Sequence, residues 1–457
     1  MTASSDFASA ANALGARAIE CAITDFTSLA RGKLVAVDEW VAQQGCRLPN
    51  VLFGMTVTGG APKDLFGSLM PKGYGDMQCE ADLATLRARP GRPHEATVLC
   101  DPSGRWFAPS LGREVDASEL SPRAWLKKVV AQYAEMGLQA TVAPELELFL
   151  LRRDGTAMES ARAHPSSPVS ERACEQYSLE RTAQFEPFFD ELYAGCAVLG
   201  IPVSGHLHEA ALSQYEVNFQ PGPALAQADA VFRFKRLARE IAARHGFLAS
   251  FAAKPFLDQP GAGMHWHFSL QHSAPGANWP HVFATPNGAA SPALGHFIAG
   301  LQAHTPAAMA LFAPYDMSFD RIALSDASPS HADWGHDDRL AAFRIPAANS
   351  AAGVRVENRL PGGDASPYLT VAATLAFGLA GMQEGLAPCN GKDACLVLPR
   401  NLPDALDALT NSPATRALVG EAMVDLFVAL KRNEHEERQA LANPRQDWDL
   451  KHLIELA

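Results

Sequence analysis

The stretch Gly261-Ala-Gly-Met-His265-Trp-His267-Phe-Ser269-Leu270 constrains this chain more than any other. His265, His267 and Ser269 alternate with Met264, Trp266, Phe268 and Leu270. Alternation with a period of two predicts a strand, with the polar groups on one face and the large apolar groups on the other. The apolar face has to cover a core. The opposite face carries two imidazoles and a hydroxyl, which is either a hydrogen-bonded histidine pair in a half-buried sheet or a site for a metal or a phosphate.

A second run supplies carboxylates. In Ala140-Thr-Val-Ala-Pro-Glu145-Leu-Glu147-Leu-Phe-Leu150 the two glutamates sit two residues apart in an otherwise apolar, extended segment. Both therefore point to the same face. Two ionised carboxylates side by side repel each other and are costly to desolvate, so a cation must compensate them. An arginine salt bridge and a divalent metal both satisfy that demand. Glu216 and Asn218 alternate with Val217 and Phe219 in a further predicted strand, with Glu209 in the loop before it.

Arginines complete the set. Arg355, Glu357 and Arg359 share one face of a predicted strand, with Arg339 and Arg344 shortly before it and Arg321 earlier. Arg344 and Arg355 lie within apolar sequence (Ala342, Phe343, Ile345; Val354, Val356), which argues against ordinary surface pairing. Guanidinium forks suit carboxylate and phosphate. Carboxylates with imidazole suit Mg²⁺ or Mn²⁺. Metal and arginine together suit a nucleoside triphosphate and phosphoryl transfer. Neither Gly-x-x-x-x-Gly-Lys-Ser/Thr nor Gly-x-Gly-x-x-Gly occurs, so Walker and Rossmann sites are excluded.

Composition narrows the class. The 457 residues imply two or three domains, and a formal charge of −12 argues against a nucleic-acid surface. No apolar run reaches the length of a spanning helix and no signal peptide is visible, so a cytoplasmic, non-membrane protein is expected. The 8 cysteines are scattered with no Cys-x-x-Cys, which predicts buried thiols rather than disulfides or zinc.

Along the chain, residues 1–110 read as a small, mostly β unit, with strands at 18–23, 33–37 and 96–100 and a long functional loop at 54–95. Ser121-Pro122 opens a helix that Gly137 closes. Residues 154–175, holding Pro165 and Pro168, read as an exposed insertion. Further helices are expected at 180–199, 224–245, 292–312, 367–384 and 414–432, and strands at 248–254, 263–270, 340–346 and 354–360. The class is α+β.

These residues together resemble the glutamine synthetase superfamily. The matching stretches are Pro144-Glu-Leu-Glu147, Glu209 with Gln214-Tyr-Glu216, Lys254-Pro255, Gly263-Met-His-Trp-His267, Arg339 with Arg344-Ile-Pro, and Arg355-Val-Glu-Asn-Arg359-Leu-Pro with Asp364-Ala-Ser-Pro-Tyr368. They follow family order across most of residues 18–384. The resemblance implies an N-terminal β-grasp domain (1–112) and a catalytic domain (118–457) with a curved antiparallel sheet, flanking helices and C-terminal helices over 413–457. It also implies a homo-oligomer, a dodecamer of two hexameric rings, with the active site between neighbouring subunits. Glu147, Glu209 and Glu216 resemble ligands of a first metal, and Glu145, His265 and Glu357 ligands of a second. Two or three Mg²⁺ or Mn²⁺ ions per site are implied. Arg321 and Arg359 resemble the pair that holds the glutamate carboxylate, with Gly261 in the loop that touches glutamate. Arg339 resembles the group that meets the transferred phosphoryl. His267, Ser269, Arg344 and Arg355 resemble nucleotide contacts. The implied chemistry is ATP-dependent activation of L-glutamate to γ-glutamyl phosphate, followed by attack of an amine.

Departures from the family pattern bear on the amine. Ammonium-using members carry an aspartate in an N-domain loop, but Phe53-Gly-Met55-Thr-Val-Thr-Gly59 holds no carboxylate. The flap glutamate expected six residues after Arg321 is Ala327, with Asp326 adjacent. Losing anions that stabilise ammonium leaves room for a larger substituent. Ser330-His-Ala-Asp-Trp334-Gly-His336 is also closer to the γ-glutamylamide ligases, which join glutamate to polyamines or small alkylamines. Phe53, Met55, Trp334 and Asp326 are the expected amine pocket. Ser213 and Pro260 replace a family glycine and asparagine, and Pro403 follows Asn401-Leu402 where other members carry an adenylylated tyrosine. The alternatives are an ammonium-using glutamine synthetase in which Asp326 substitutes, and a non-catalytic structural relative.

Overall fold

A computed structural model describes residues 3–154, 157–160, 171–273, 279–325 and 328–456. Asp326, Ala327, Pro165 and Pro168 lie outside the described residues. The first sheet contains β1 (Ala18–Thr24), β2 (Ala30–Ala36), β3 (Gly45–Pro49), β4 (Asp76–Ala81), β5 (Arg87–Ala88) and β6 (Glu95–Ser103) in the order β2-β1-β6-β4-β3, with β5 on β6. β1 runs parallel to β6 and the other pairs are antiparallel. This unit is less purely β than its composition predicts, since helices occupy Ala3–Ala13 and Val37–Gln43. The stretch 54–95 is not one loop, because β4 and β5 cross it. The hairpin of β7 (Arg105–Ala108) and β8 (Arg113–Asp116) leads on to the rest of the chain.

The second sheet contains β9 (Leu138–Asp154), β10 (Ala157–Ser160), β11 (Val203–His208), β12 (Gln214–Phe219), β13 (Gly222–Pro223), β14 (Leu248–Ser250), β15 (Met264–His272), β16 (Trp334–His336), β17 (Phe343–Ile345) and β18 (Val356–Asn358). Its main path is β11-β12-β9-β15-β18-β17-β16, with β10, β13 and β14 also on β9. Only β16–β17 is parallel. β9 is the spine, and β10 makes part of the expected insertion a hairpin with it.

The apolar face behaves as alternation demands. Met264, Trp266 and Phe268 are wholly buried, as are Leu146 and Leu148. Helices Pro122–Glu135 and Ala224–Arg244 pack on β9, Phe297 of the helix Pro292–Phe312 meets Phe268 of β15 with ring centroids 6.5 Å apart, and Pro292–Phe312 packs in turn against Pro367–Glu384. Those two approach through Gly300 and Gly381. A Cβ on Gly300 would sit 2.1 Å from the Phe377 carbonyl oxygen, and one on Gly381 2.2 Å from that of His296. Any side chain there would push the helices apart.

Capping signals mark helix starts well. Ser121 accepts a hydrogen bond from the Ala124 amide, with Pro122 at the first helical position. Two expected helices are each broken in two. The 180–199 segment is Leu179–Ala183 followed by Glu186–Leu199. The 414–432 segment is Pro413–Val419 and Glu421–Gln439, divided at Gly420 with φ of 106°. The periodicity continues through a residue whose backbone cannot. Strands expected at 248–254, 340–346 and 354–360 shrink to three residues each.

The expectation of free thiols throughout is corrected at Cys389 and Cys395, which form a disulfide. The loop turns through Gly391 and brings their Cα atoms to 5.8 Å, a bridging distance that spacing alone did not disclose. Cys21, Cys46, Cys79, Cys100 and Cys196 are buried thiols, and Cys174 is exposed. Arg123, 1% exposed, ties the two sheets' surroundings together through Asp82 and Asp101 on one side and Asp229 on the other, each at 2.8–2.9 Å.

Candidate active site on the polar face of the second sheet

Strand register assembles the site. Glu216 on β12 faces Glu147 on β9, and Asn218 faces Glu145. Glu145 in turn faces His265 on β15. His267 faces Glu357 on β18, and Glu357 faces Arg344 on β17. Directly paired residues share a face. Side chains separated by more than two hundred positions in sequence therefore form one polar band across five strands. Glu209 joins it from the β11–β12 turn, where its amide donates to the Gln214 carbonyl at 2.8 Å.

One end of the band is neutralised from within. Glu145 accepts from His267 Nε2 at 2.8 Å, and His265 Nδ1 lies 3.9 Å from it. Burial would raise the Glu145 carboxyl, but the nearby His265 imidazole and the hydrogen bond from His267 hold it well below the usual carboxylate range. Glu357 is wholly buried and clamped by Arg344 at 3.0 Å and Arg359 at 2.6 Å. Against the effect of burial, His265 and Arg359 lower it too.

The other end is not neutralised. Glu147 accepts from Gln214 Nε2 at 2.7 Å and from the Gly263 amide at 2.9 Å, but burial and then Glu209 push its carboxyl up to about 7. Burial, then Glu145 and Glu147, push Glu216 up to about 8. Glu209, bound by Gln176 Nε2 and the Ala210 amide, is raised by burial as well. Among the described residues no Lys, Arg or His forms an ion pair with these three crowded carboxylates, and such a group fits a divalent cation bound through oxygen. At the neutralised end, ligand atoms of Glu145, His267 and Glu357 lie within 4.8 Å of one another and could hold a metal ion. His265 Nδ1 is 3.6 Å from Glu357.

A cavity of about 660 Å³ opens over this band. Its lining includes Glu145, Glu147, Glu209, Glu216, His265, Gly261, Arg321, Arg339 and Arg359. Arg321 is fixed by the Leu360 and Arg359 carbonyls at 3.0 and 3.3 Å, and its Nη2 lies 3.5 Å from His265 Nε2. Arg359 donates to the Arg339 carbonyl at 3.1 Å, and Arg339 itself is exposed. A Cβ on Gly263 would sit 2.6 Å from His265 Nε2 and 3.1 Å from Glu147 Oε1, so the bare backbone is what lets the band close.

His267, Ser269, Arg344, Arg355 and Glu357 stand on the same face further along, outside the cavity lining. Arg355 donates to His267 Nδ1 at 3.3 Å and to the Gly353 carbonyl at 2.8 Å, and Ser269 is half-buried. Phe53, Met55 and Trp334 are not brought to this cavity within one chain. Phe53 is wholly buried in the main core, Met55 is half-buried, and Trp334 Nε1 donates to the Cys389 carbonyl at 3.0 Å. Two supporting residues escaped the sequence reading of roles. Gln214 bridges Glu147 and the Gly261 carbonyl, and Lys254 donates to the Gln259 carbonyl, holding the loop before Gly261. Their signal was present, since both fall in matched motifs, but their acceptors come from other segments.

The profile of the family described as "Glutamine synthetase, catalytic domain" matches residues 119–452. The chain is 30% identical over 456 residues to glutamate–isopropylamine ligase of Pseudomonas sp, covering 96% of this chain and 95% of that one. It is 29% identical to gamma-glutamylputrescine synthetase PuuA of Escherichia coli (strain K12), covering 95% and 91%. A solved structure titled GmaS/ADP complex superposes with a TM-score of 0.79 at 26% identity, covering 98% of both chains. With the carboxylate band, its arginines and the cavity above them in place, the chain belongs to the glutamine synthetase family.

Proposed function

We propose that the chain is a glutamate–amine ligase, which joins the γ-carboxyl of L-glutamate to a polyamine or small alkylamine at the expense of ATP. The observation that carries this is the carboxylate band with Arg321, Arg339 and Arg359 converging on one cavity. Relatives named as isopropylamine, putrescine and ethanolamine ligases support it. The glutamate carboxylate is held by Arg321 and Arg359, with Gly261 in the loop beside it. Arg339 meets the phosphoryl group as charge develops there. His267, Ser269, Arg344 and Arg355 contact the nucleotide. Glu147, Glu209 and Glu216 hold one divalent cation, and Glu145, His265 and Glu357 another, with His267 close enough to share. Mg²⁺ or Mn²⁺, two or three per site, would screen the phosphates of ATP when bound.

In this reading the γ-carboxylate attacks the terminal phosphorus and ADP leaves. A neutral amine then attacks the acyl carbon, phosphate leaves, and the nitrogen sheds a proton. The reading extends to a β-grasp domain over 1–112, a catalytic domain over 118–457 and a dodecamer of two hexameric rings. A neighbouring subunit would then bring Phe53 and Met55 to the acceptor side, with Trp334 and Asp326. No helix among the described residues is long and apolar enough to cross a membrane.

The test is phosphate release with ATP, Mg²⁺ and glutamate against a panel of amines. Turnover that requires an organic amine is expected. Turnover with ammonium alone at comparable kcat/KM, abolished in Asp326→Ala, would favour an ammonium-using glutamine synthetase. Absence of ATP binding by calorimetry would leave the non-catalytic relative.

A further inference from the structure

The cavity has two chemically different ends. Its floor is the carboxylate band. Its rim carries Tyr177, Leu257, Leu324 and Leu340, which are 59%, 51%, 56% and 58% exposed. A single exposed leucine needs no explanation. Here four large, exposed apolar side chains from four separate segments line the same cavity.

Each rim residue sits on backbone that is held. The Tyr177 amide donates to the His208 carbonyl at 2.9 Å. Just upstream, buried Glu171 anchors the same segment through His208 Nε2 at 2.8 Å and the Ser213 amide at 2.6 Å. Arg445 donates to the Lys254 and Pro255 carbonyls at 2.6 and 3.1 Å, at the base of the loop carrying Leu257. The Leu324 amide closes the helix Asp316–Ala323, bonding the Asp320 carbonyl at 3.0 Å. The Leu340 amide donates to Asp338 Oδ1 at 2.9 Å. The rim is therefore built into the cavity mouth rather than draped over it.

We propose that this apolar collar seats the carbon chain of the acceptor amine, so that the enzyme prefers apolar monoamines over ammonium and over diamines. The inference rests on the glutamate–amine ligase reading of the same cavity. The occupant follows from continuity with the floor, since a chain lying on the collar directs its nitrogen toward the end where the acyl group is activated. Charge points the same way. Among the described residues, apart from Glu145, Glu147, Glu209 and Glu216, the lining holds one carboxylate, the exposed Asp258. A diamine's far ammonium would have to lose water against leucines, with Asp258 as its single anionic partner among the described residues.

The experiment is a homologous series. kcat/KM is measured for methylamine, ethylamine, propylamine and butylamine, with ammonium and putrescine as comparators. A methylene that enters an apolar seat raises kcat/KM about fourfold, equivalent to ~0.8 kcal/mol. We expect that slope through the series, with putrescine well below butylamine. Leu257→Ser, Leu324→Ser and Leu340→Ser should each flatten the slope, while the low rate with ammonium and the KM for ATP stay as in the parent.

A flat series in the parent overturns the collar. So does putrescine outperforming butylamine with the advantage lost in Asp258→Asn. If the leucine variants change the assembly's size by light scattering and leave the slope intact, a second copy of the chain covers the rim and the inference falls. If no amine supports phosphate release, the ligase reading fails first and takes this one with it.

Discussion

The two ends of the polar band are built from the same residue type and behave oppositely. Toward β15, β18 and β17, the carboxylates of Glu145 on β9 and Glu357 on β18 meet His265, His267, Arg344 and Arg359 and lie below their ordinary proton affinity. On β9 and β12, Glu147 and Glu216 meet other carboxylates and lie at about 7 and about 8. Burial is similar at both ends, so the neighbours decide. Removing a carboxylate from the first end leaves half-buried guanidinium groups under-compensated, whereas removing one from the second relieves repulsion. The first end is charge-balanced by the protein itself, whereas the second calls for a bound cation.

The largest expected effect follows at the compensated end. Glu357→Gln leaves Arg344 and Arg359 without their shared counter-charge and should cost about 3–5 kcal/mol of stability as well as most of the activity. Urea unfolding and phosphate release measure the two losses. A variant as stable as its parent would break the comparison.

At the other end, Glu216→Gln should cut activity about 100-fold or more, with weaker Mg²⁺ binding by calorimetry, yet leave the metal-free protein as stable as the parent or more so. A lower melting temperature for the metal-free variant would mean that Glu216 is a structural partner.

His265→Ala and Arg359→Lys sharpen the picture between these limits. His265→Ala should weaken metal binding and remove most turnover, and full turnover would discredit the assignment. Arg359→Lys exchanges a fork for a point charge and should raise the KM for glutamate roughly tenfold with a smaller change for ATP. An unchanged KM would argue against that role. The smallest effect belongs to Ser269→Ala, a half-buried hydroxyl whose loss should raise the KM for ATP about threefold, in line with one neutral hydrogen bond.

The sequence disclosed the faces but not the register. Alternation in 264–270 and the spacing of Glu145 and Glu147 were enough to place polar groups on one side of β15 and β9. Nothing local says that Glu216 lies opposite Glu147 or that Arg344 and Arg359 share Glu357, because those pairings are set by strands that meet only in the folded chain. The division of the two imidazoles was equally hidden. His267, read as a nucleotide contact, hydrogen-bonds Glu145 and groups with it and Glu357, while His265 stands between both carboxylates. The Cys389–Cys395 bond and the break at Gly420 depended on backbone turns that periodicity does not register. The apolar rim was invisible for the same reason, since Tyr177, Leu257, Leu324 and Leu340 have nothing in common until the cavity gathers them.

Isotope transfer tests the central claim, that this carboxylate-and-arginine cavity activates glutamate by phosphorylating it, most directly. Glutamate carrying ¹⁸O in its γ-carboxylate is incubated with ATP, Mg²⁺ and butylamine, and the released phosphate is analysed by mass spectrometry. The account predicts one ¹⁸O in each phosphate released with γ-glutamylamide formation. Amide formed with unlabelled phosphate, or phosphate released with no amide, would contradict it.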